Sequence, residues 1–226
     1  MTSLSGRNNL SLRRHDLVFV SSGAWRSLLK TRDDLAGEPL AADWADRGWP
    51  LVARRFAPGE AGGLALGLPL PPFLGKRRLS VLMQPDDMIS TSPPAQLSAA
   101  IGAAPERWRY TLERVVDLAA EYGVEARVFG SLAWRMLTGL GYLTTCSDLD
   151  VLLPLHREGD LARLTAGLAA IEAAAPMRLD GELVRDDGAG VNWRELHTGG
   201  AREVLVKTTR GVVLLHADQF RSSGVV

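Results

Sequence analysis

The sequence predicts an α/β fold of the α+β kind: a mixed sheet flanked by helices, preceded by a smaller α/β unit. Three observations lead there. Helical and strand patterns alternate through the middle of the chain and a run of strands follows, an order that favours a mixed sheet over a doubly wound parallel one. A proline-rich stretch interrupts the pattern near residue 95, which sets expected domains of 1–95 and 96–226. The chain has 226 residues, enough for one large domain or two small ones with a buried core.

Each element follows from its local pattern. The first 15 residues or so are polar and are expected to be ragged. "DLVFVS" (16–21) reads as a short strand and "AWRSLL" (24–29) as a helical turn. "GWPLVARRF" (48–56) reads as a strand after a turn. "APGEAGGLALGLPLPPFLGKRR" (57–78) is rich in Gly and Pro and is expected to be largely loop. "RLSVLM" (78–83) is a strand, and the segment from Gln84 to Pro105 is expected to be a linker or a wrapping loop. Pro105 stands where a helix accepts its first residue. Trp108, Leu112, Val115, Ala119 and Tyr122 then recur at steps of four and three, an amphipathic helix stopped by Gly123. "VEARVF" is a strand, "GSLAWRMLTGL" a helix and "SDLDVLLP" a strand. "DLARLTAGLAAIEAAA" puts Leu161, Leu164, Leu168 and Ile171 on one helical face. "MRLDGELV" and "GVNWREL" are expected as strands across a turn, and "EVLVKTTRGVVLLH" as a hairpin turning near Gly211.

Composition narrows the function. Lys plus Arg and Asp plus Glu both number 26, so the net charge is zero. A chain that holds a long nucleic acid is usually basic, because phosphate neutralisation supplies most of that affinity. Neutrality disfavours a polynucleotide and leaves small anionic ligands open. The one cysteine, Cys146, cannot make a disulfide framework or a cysteine-rich zinc site, which fits a cytoplasmic location. No apolar run approaches the roughly 20 residues of a membrane span, and "MTSLSGRNNLSLRRHD" has no apolar core for a secretory signal.

The chemistry concentrates in "TTCSDLDVLLP". Residues i and i+2 of a strand point the same way, so Asp148 and Asp150 project together while Leu149 and Val151 face the other side. Two carboxylates about 6 Å apart repel by roughly 3 kcal/mol at an effective dielectric near 20. Protonation of one, exposure to water, or a divalent cation with oxygen ligands would offset that. An isolated Asp-x-Asp is most often simply solvated. Here "RVFGSLAW" ends one strand and opens a helix just before it. Gly130 allows close backbone approach, and Ser131 opens a helix terminus suited to an anion, though Ser there is also an ordinary cap. One element offers amides to phosphate oxygens, and the next offers carboxylates to a bridging metal.

"FGSLAW" followed by "SDLDVLL" resembles the nucleotidyltransferase superfamily of the DNA polymerase β type, with a longer spacer of 16 residues between Ser131 and Asp148. The fuller "GSLAWRMLTGLGYLTTCSDLDVLLP", with "RHDLVFVS", "GWPLVARR", "LGLPLPP" and "GKRRLSVLM", is similar to the phosphoribosyl-dephospho-CoA transferases (holo-acyl-carrier-protein synthases) of malonate decarboxylase. The resemblance runs from about Arg13 to Phe220. It implies a nucleotidyltransferase-type sheet and transfer of a prosthetic group from 2′-(5″-triphosphoribosyl)-3′-dephospho-CoA to a serine of the apo acyl carrier protein subunit, releasing pyrophosphate. It implies Mg²⁺ held by Asp148 and Asp150 and a phosphate motif at Gly130 and Ser131. A third acid is implied on a later strand: Asp180 stands where superfamily order puts it, with Glu182 and Glu195 as alternatives and a structural turn at "LDGE" as the bland reading. Pyrophosphate needs cations. Candidates are Lys76, Arg77 and Arg78 with Lys76 first, then Arg54, Arg55 and Lys207, against ordinary solvated charge. Two other functions stay open: transfer from an ordinary nucleoside triphosphate to another acceptor, and a non-catalytic CoA- or nucleotide-binding subunit.

Other constellations carry less. His15, His156, His197 and His216 are widely spaced and form no zinc motif. Cys146 is expected to be a small buried or partly buried thiol. Trp25, Trp44, Trp49, Trp108, Trp134 and Trp193 read as core anchors, with Trp134 alternatively lining an adenine pocket.

Overall fold

The computed structural model describes residues 12–155, 161–197 and 203–222. The ragged start expected for the chain falls largely in residues 1–11, and that stretch and His156 lie outside the described residues.

The first half is built on one antiparallel sheet. Its strands are β1 (Leu17–Val20), β2 (Leu51–Ala53), β3 (Leu64–Pro69), β4 (Arg78–Met83) and β5 (Met88–Ser92), in the order β4-β3-β2-β1-β5. Helix α1 (Ser22–Leu29) starts where the Ser21 hydroxyl accepts the Ala24 N–H at 3.2 Å, a side-chain cap. It is followed by the single turn α2 (Asp33–Ala36). The core between sheet and helices is set by Trp25, Leu35, Trp44, Leu51, Leu66 and Leu68, all fully buried. Two of these indoles find an acceptor: Trp25 Nε1 donates to the Ala41 carbonyl at 2.6 Å and Trp44 Nε1 to that of Pro50 at 3.0 Å.

Two expectations for this half are corrected. Residues 57–78 are not largely loop, because β3 runs through them and pairs with β2 and β4. Its "LALGLP" is buried on both faces, so it lacks the alternation of a half-buried strand. Residues 84–105 are not simply a linker. They hold β5, which pairs with β1, and the short helix α3 (Leu97–Ala100). β5 is a mostly exposed, polar edge strand, so hydrophobic patterning could not reveal it.

The second half is a six-stranded mixed sheet with helices against it. Its elements are α4 (Arg109–Glu121), β6 (Arg127–Val128), α5 (Gly130–Thr138), β7 (Leu149–Pro154), α6 (Leu161–Ala173), β8 (Leu179–Val184), β9 (Gly190–Asn192), α7 (Trp193–His197), β10 (Glu203–Lys207), β11 (Val212–His216) and α8 (Ala217–Ser222). The strand order is β11-β10-β9-β8-β7-β6. Among the described residues β7 and β8 run parallel and the other pairs antiparallel, the mixed sheet the sequence predicted. α4 begins later than Pro105, because residues Glu106–Trp108 form a 3₁₀ turn first. Leu112, Val115, Leu168 and Ile171 bury the helix faces against Leu149, Val151 and Leu153 of β7. "GVNWREL" is not one strand. β9 stops at Asn192, whose side-chain oxygen accepts the Arg194 N–H at 3.0 Å and starts α7, the local competition with a strand that Asn favours.

Candidate active site

β7 builds the site from its first residues. Leu149, Val151 and Leu153 are buried in the core, so Asp148, just ahead of the strand, and Asp150 turn to the opposite face. In the parallel pair, Asp180 of β8 lies directly opposite Asp150. Asp148, Asp150 and Asp180 are therefore all placed at the start of β7 and β8, the parallel pair among the described strands.

α5 is fitted onto this cluster. Gly130 has φ +64°, and a Cβ there would lie 1.9 Å from Asp150 Oδ2 and 2.5 Å from its Cγ. Left-handed backbone and contact with the carboxylate thus both demand glycine. The Phe129 N–H reaches the Asp150 carbonyl at 3.1 Å, and the Ser131 N–H donates to the Asp150 carboxylate. Burial pushes the Asp150 carboxyl up to about 7, and the charges of Asp180 and Asp148 add to the shift; the Ser131 amide and Arg78 oppose it.

A cleft of ≈ 510 Å³ opens over these residues, between the two sheets. Gly130, Ser131, Asp148 and Asp150 line one side. Lys76, Arg77, Arg78 and Arg55 of the first half line the other. Lys76, Arg78 and Arg55 carry no side-chain hydrogen bond or ion pair among the described residues, whereas Arg77 is paired with Glu38 and Arg54 with Glu60 at 2.6 Å. Lys76 has φ +53°, uncommon for a side chain of this kind, and sits just after the Pro71–Gly75 turn. Trp134 is 6% exposed and stands 6.0 Å from Trp44 and 6.2 Å from Tyr142, so it anchors the core and also walls the cleft.

The structure separates the remaining candidates. Lys207 lies away from the cleft: its Nζ is 2.7 Å from Glu182 Oε1. Glu182 is buried and also takes both Arg14 nitrogens, at 3.1 and 3.2 Å. Burial raises its pKa, but hydrogen bonds from His15, Arg14 and Lys207 and the Arg14 charge outweigh that and hold the carboxyl well below the usual range. Glu195 accepts the Leu205 N–H at 2.6 Å. Of the three later acids, only Asp180 stands beside Asp150. Asn192 Nδ2 donates to Asp180 Oδ1 at 2.7 Å, and Arg194 Nη1 makes a long ion pair with the same oxygen at 3.9 Å. Cys146 corrects an expectation, since the thiol is exposed on the cleft rim in the Thr145–Cys146 turn. Sequence reasoning missed Arg14, His15 and Asn192. For Asn192 a signal existed, an Asn before Trp-Arg-Glu-Leu, where a helix cap competes with a strand.

A mixed sheet that begins with facing aspartates beside a Gly-Ser helix start, under a row of free cations, has the parts of a transferase. Comparison with known proteins makes this specific. Residues 13–94 match the phosphoribosyl-dephospho-CoA transferase MdcG N-terminal domain, and residues 96–218 match its C-terminal domain. The chain is 52% identical to a phosphoribosyl-dephospho-CoA transferase of Bradyrhizobium diazoefficiens over 98% of each chain. It is 36% identical to one of Xanthomonas campestris pv. campestris, over 89% of this chain and 93% of the relative. It is 31% identical to one of Pseudomonas putida, over 77% and 84%. No solved structure matches it. The chain belongs to the phosphoribosyl-dephospho-CoA transferase family and is an enzyme of that kind. No helix of the described residues is long and apolar enough to cross a membrane.

Proposed function

We propose that the chain takes 2′-(5″-triphosphoribosyl)-3′-dephospho-CoA as donor and the apo acyl carrier protein subunit of malonate decarboxylase as acceptor. The observation that carries this is the facing of unpaired cations and paired carboxylates across one cleft. A triphosphate presents both needs at once: charge to neutralise along its length, and oxygens for a metal at the reacting phosphorus.

Asp148 and Asp150 would hold Mg²⁺. They fit it: both are oxygen donors, and Asp150 is a partly buried carboxyl whose pKa is raised by burial and by neighbouring acids, a site that gains from a cation. Among the described residues no group of three or more acids, histidines or cysteines could hold a metal ion, so the ion would rest on these two carboxylates together with the donor's phosphate oxygens. Bound there, the ion would supply electrostatic stabilisation of the phosphate charge. The chain does the rest. Lys76, Arg78 and Arg55 neutralise the departing pyrophosphate. The Ser131 amide is engaged by Asp150, so the Ser131 hydroxyl and the following first-turn amides of α5 orient the phosphate oxygens. The carrier serine oxygen bonds to the α-phosphorus, the bond to pyrophosphate breaks, and Asp180 accepts the hydroxyl proton.

The test is to incubate the enzyme with Mg²⁺, apo carrier protein and either this donor or ATP or CTP, then weigh the carrier. A gain equal to the phosphoribosyl-dephospho-CoA group, from this donor alone, is expected. A nucleoside monophosphate gain would replace the donor assignment, and no gain with any donor would overturn it.

A further inference from the structure

Asp180 is useful as a proton acceptor only if one oxygen of its carboxylate is held and the other is presented. A carboxylate at the start of a strand rotates about its terminal torsion with little preference. Here the surroundings remove that freedom. Asn192 ends β9 and reaches Asp180 Oδ1 through its Nδ2 at 2.7 Å. The amide could bind the other way round, but the Arg194 N–H donates to Asn192 Oδ1 at 3.0 Å and fixes which end faces the acid. Arg194 is itself tied down. Its Nη2 donates to the Leu179 carbonyl at 2.8 Å and to Glu172, and its Nη1 lies 3.9 Å from Asp180 Oδ1. Glu172 Oε1 in turn accepts the Leu179 N–H at 2.9 Å, one residue before Asp180. Asn192 and Arg194 both approach Oδ1, and Oδ2 has no hydrogen-bond partner among the described residues.

We infer that Asn192 is a positioning residue of the transfer reaction: it pins Asp180 Oδ1 so that Oδ2 is presented to the acceptor hydroxyl. The inference rests on Asp180 being the proton acceptor proposed above. Asn192 has two separable tasks, since its oxygen caps α7 and its nitrogen holds Asp180. Asn192→Ser keeps a cap acceptor for the Arg194 N–H but has no amide to reach Asp180. Asn192→Ala loses both.

The experiment measures kcat and donor KM by pyrophosphate release, with thermal midpoints, for the wild type, Asn192→Ser, Asn192→Ala, Asp180→Asn and the double variant Asn192→Ala/Asp180→Asn. A partner that orients a working group usually costs about 10- to 100-fold when removed. Asn192→Ser and Asn192→Ala should both lose kcat by that order with donor KM nearly unchanged, while only Asn192→Ala melts earlier. Because Asn192 acts through Asp180, the double variant should be no slower than Asp180→Asn alone. A normal kcat in Asn192→Ser beside an inactive Asp180→Asn would overturn the positioning role and leave Asp180 in place. Losses that multiply in the double variant would also overturn it. A near-normal rate in Asp180→Asn would instead remove the proton-acceptor role, and this inference with it.

Discussion

Asp150 keeps its proton to about pH 7 in the folded chain, chiefly because burial disfavours the charge. The unfolded carboxyl releases its proton near pH 4. A carboxyl whose folded pKa is raised binds more protons folded than unfolded across that window, so its contribution to stability falls as pH rises from about 4 to 7 and is flat above. A gap of about three units corresponds to a cost on the order of 4 kcal/mol. Asp150→Asn keeps the shape and an acceptor for the Ser131 amide without that cost. In metal-free protein its thermal midpoint should exceed the wild type's at pH 8, with the difference shrinking towards pH 5. Melting curves across that range check this, and parallel curves would contradict it. The pairing of Asp148 with Asp150 was legible in the sequence, because i and i+2 share a strand face. The raised pKa of Asp150 was only one of three ways the sequence offered to offset the repulsion, because its largest cause, burial, and the nearby charge of Asp180 both come from packing and β7–β8 register.

At the scale of elements, α5 is pressed against β7 so closely that one hydrogen at position 130 is all the space allows. Gly130→Ala must either displace the Asp150 carboxylate or lift the start of α5, and it also strains a positive φ. Transfer should fall by at least about 100-fold, since misplacement of about 1 Å costs that much. Destabilisation should be about 1 kcal/mol or more. A carrier-labelling time course with a denaturation curve checks both; a normal rate would contradict the fit. The strand–Gly-Ser–helix–strand order was readable because each piece carries its own period. β3 and β5 were not, for opposite reasons: β3 is buried on both faces, and β5 is polar and mostly exposed, so neither alternates. α7 was misread because one Asn side chain, rather than hydrophobic period, decides where β9 stops.

Across the whole molecule, the cleft proposed as the reaction centre lies between the two sheets, with carboxylates on one and cations without side-chain partners among the described residues on the other. A short strap holds them together. The His15 N–H reaches the Ala53 carbonyl at 3.0 Å in the first half, while Arg14 grips Glu182 in the second and the His15 ring lies 4.2 Å from Phe129. Lys207 and Glu182 are engaged with this strap rather than facing the cleft, through an Arg14–Glu182 contact spanning 168 residues and a Lys207–Glu182 contact spanning 25, which no local segment reveals. The account as a whole depends on Asp148 and Asp150 serving a transfer reaction. The most direct measurement is the mass of the apo carrier protein after incubation with Mg²⁺, the triphosphoribosyl donor and either the wild-type enzyme or Asp148→Asn of unchanged circular dichroism. The carrier should gain the prosthetic group with the wild type and stay unmodified with Asp148→Asn; labelling by Asp148→Asn at close to the wild-type rate would contradict the account.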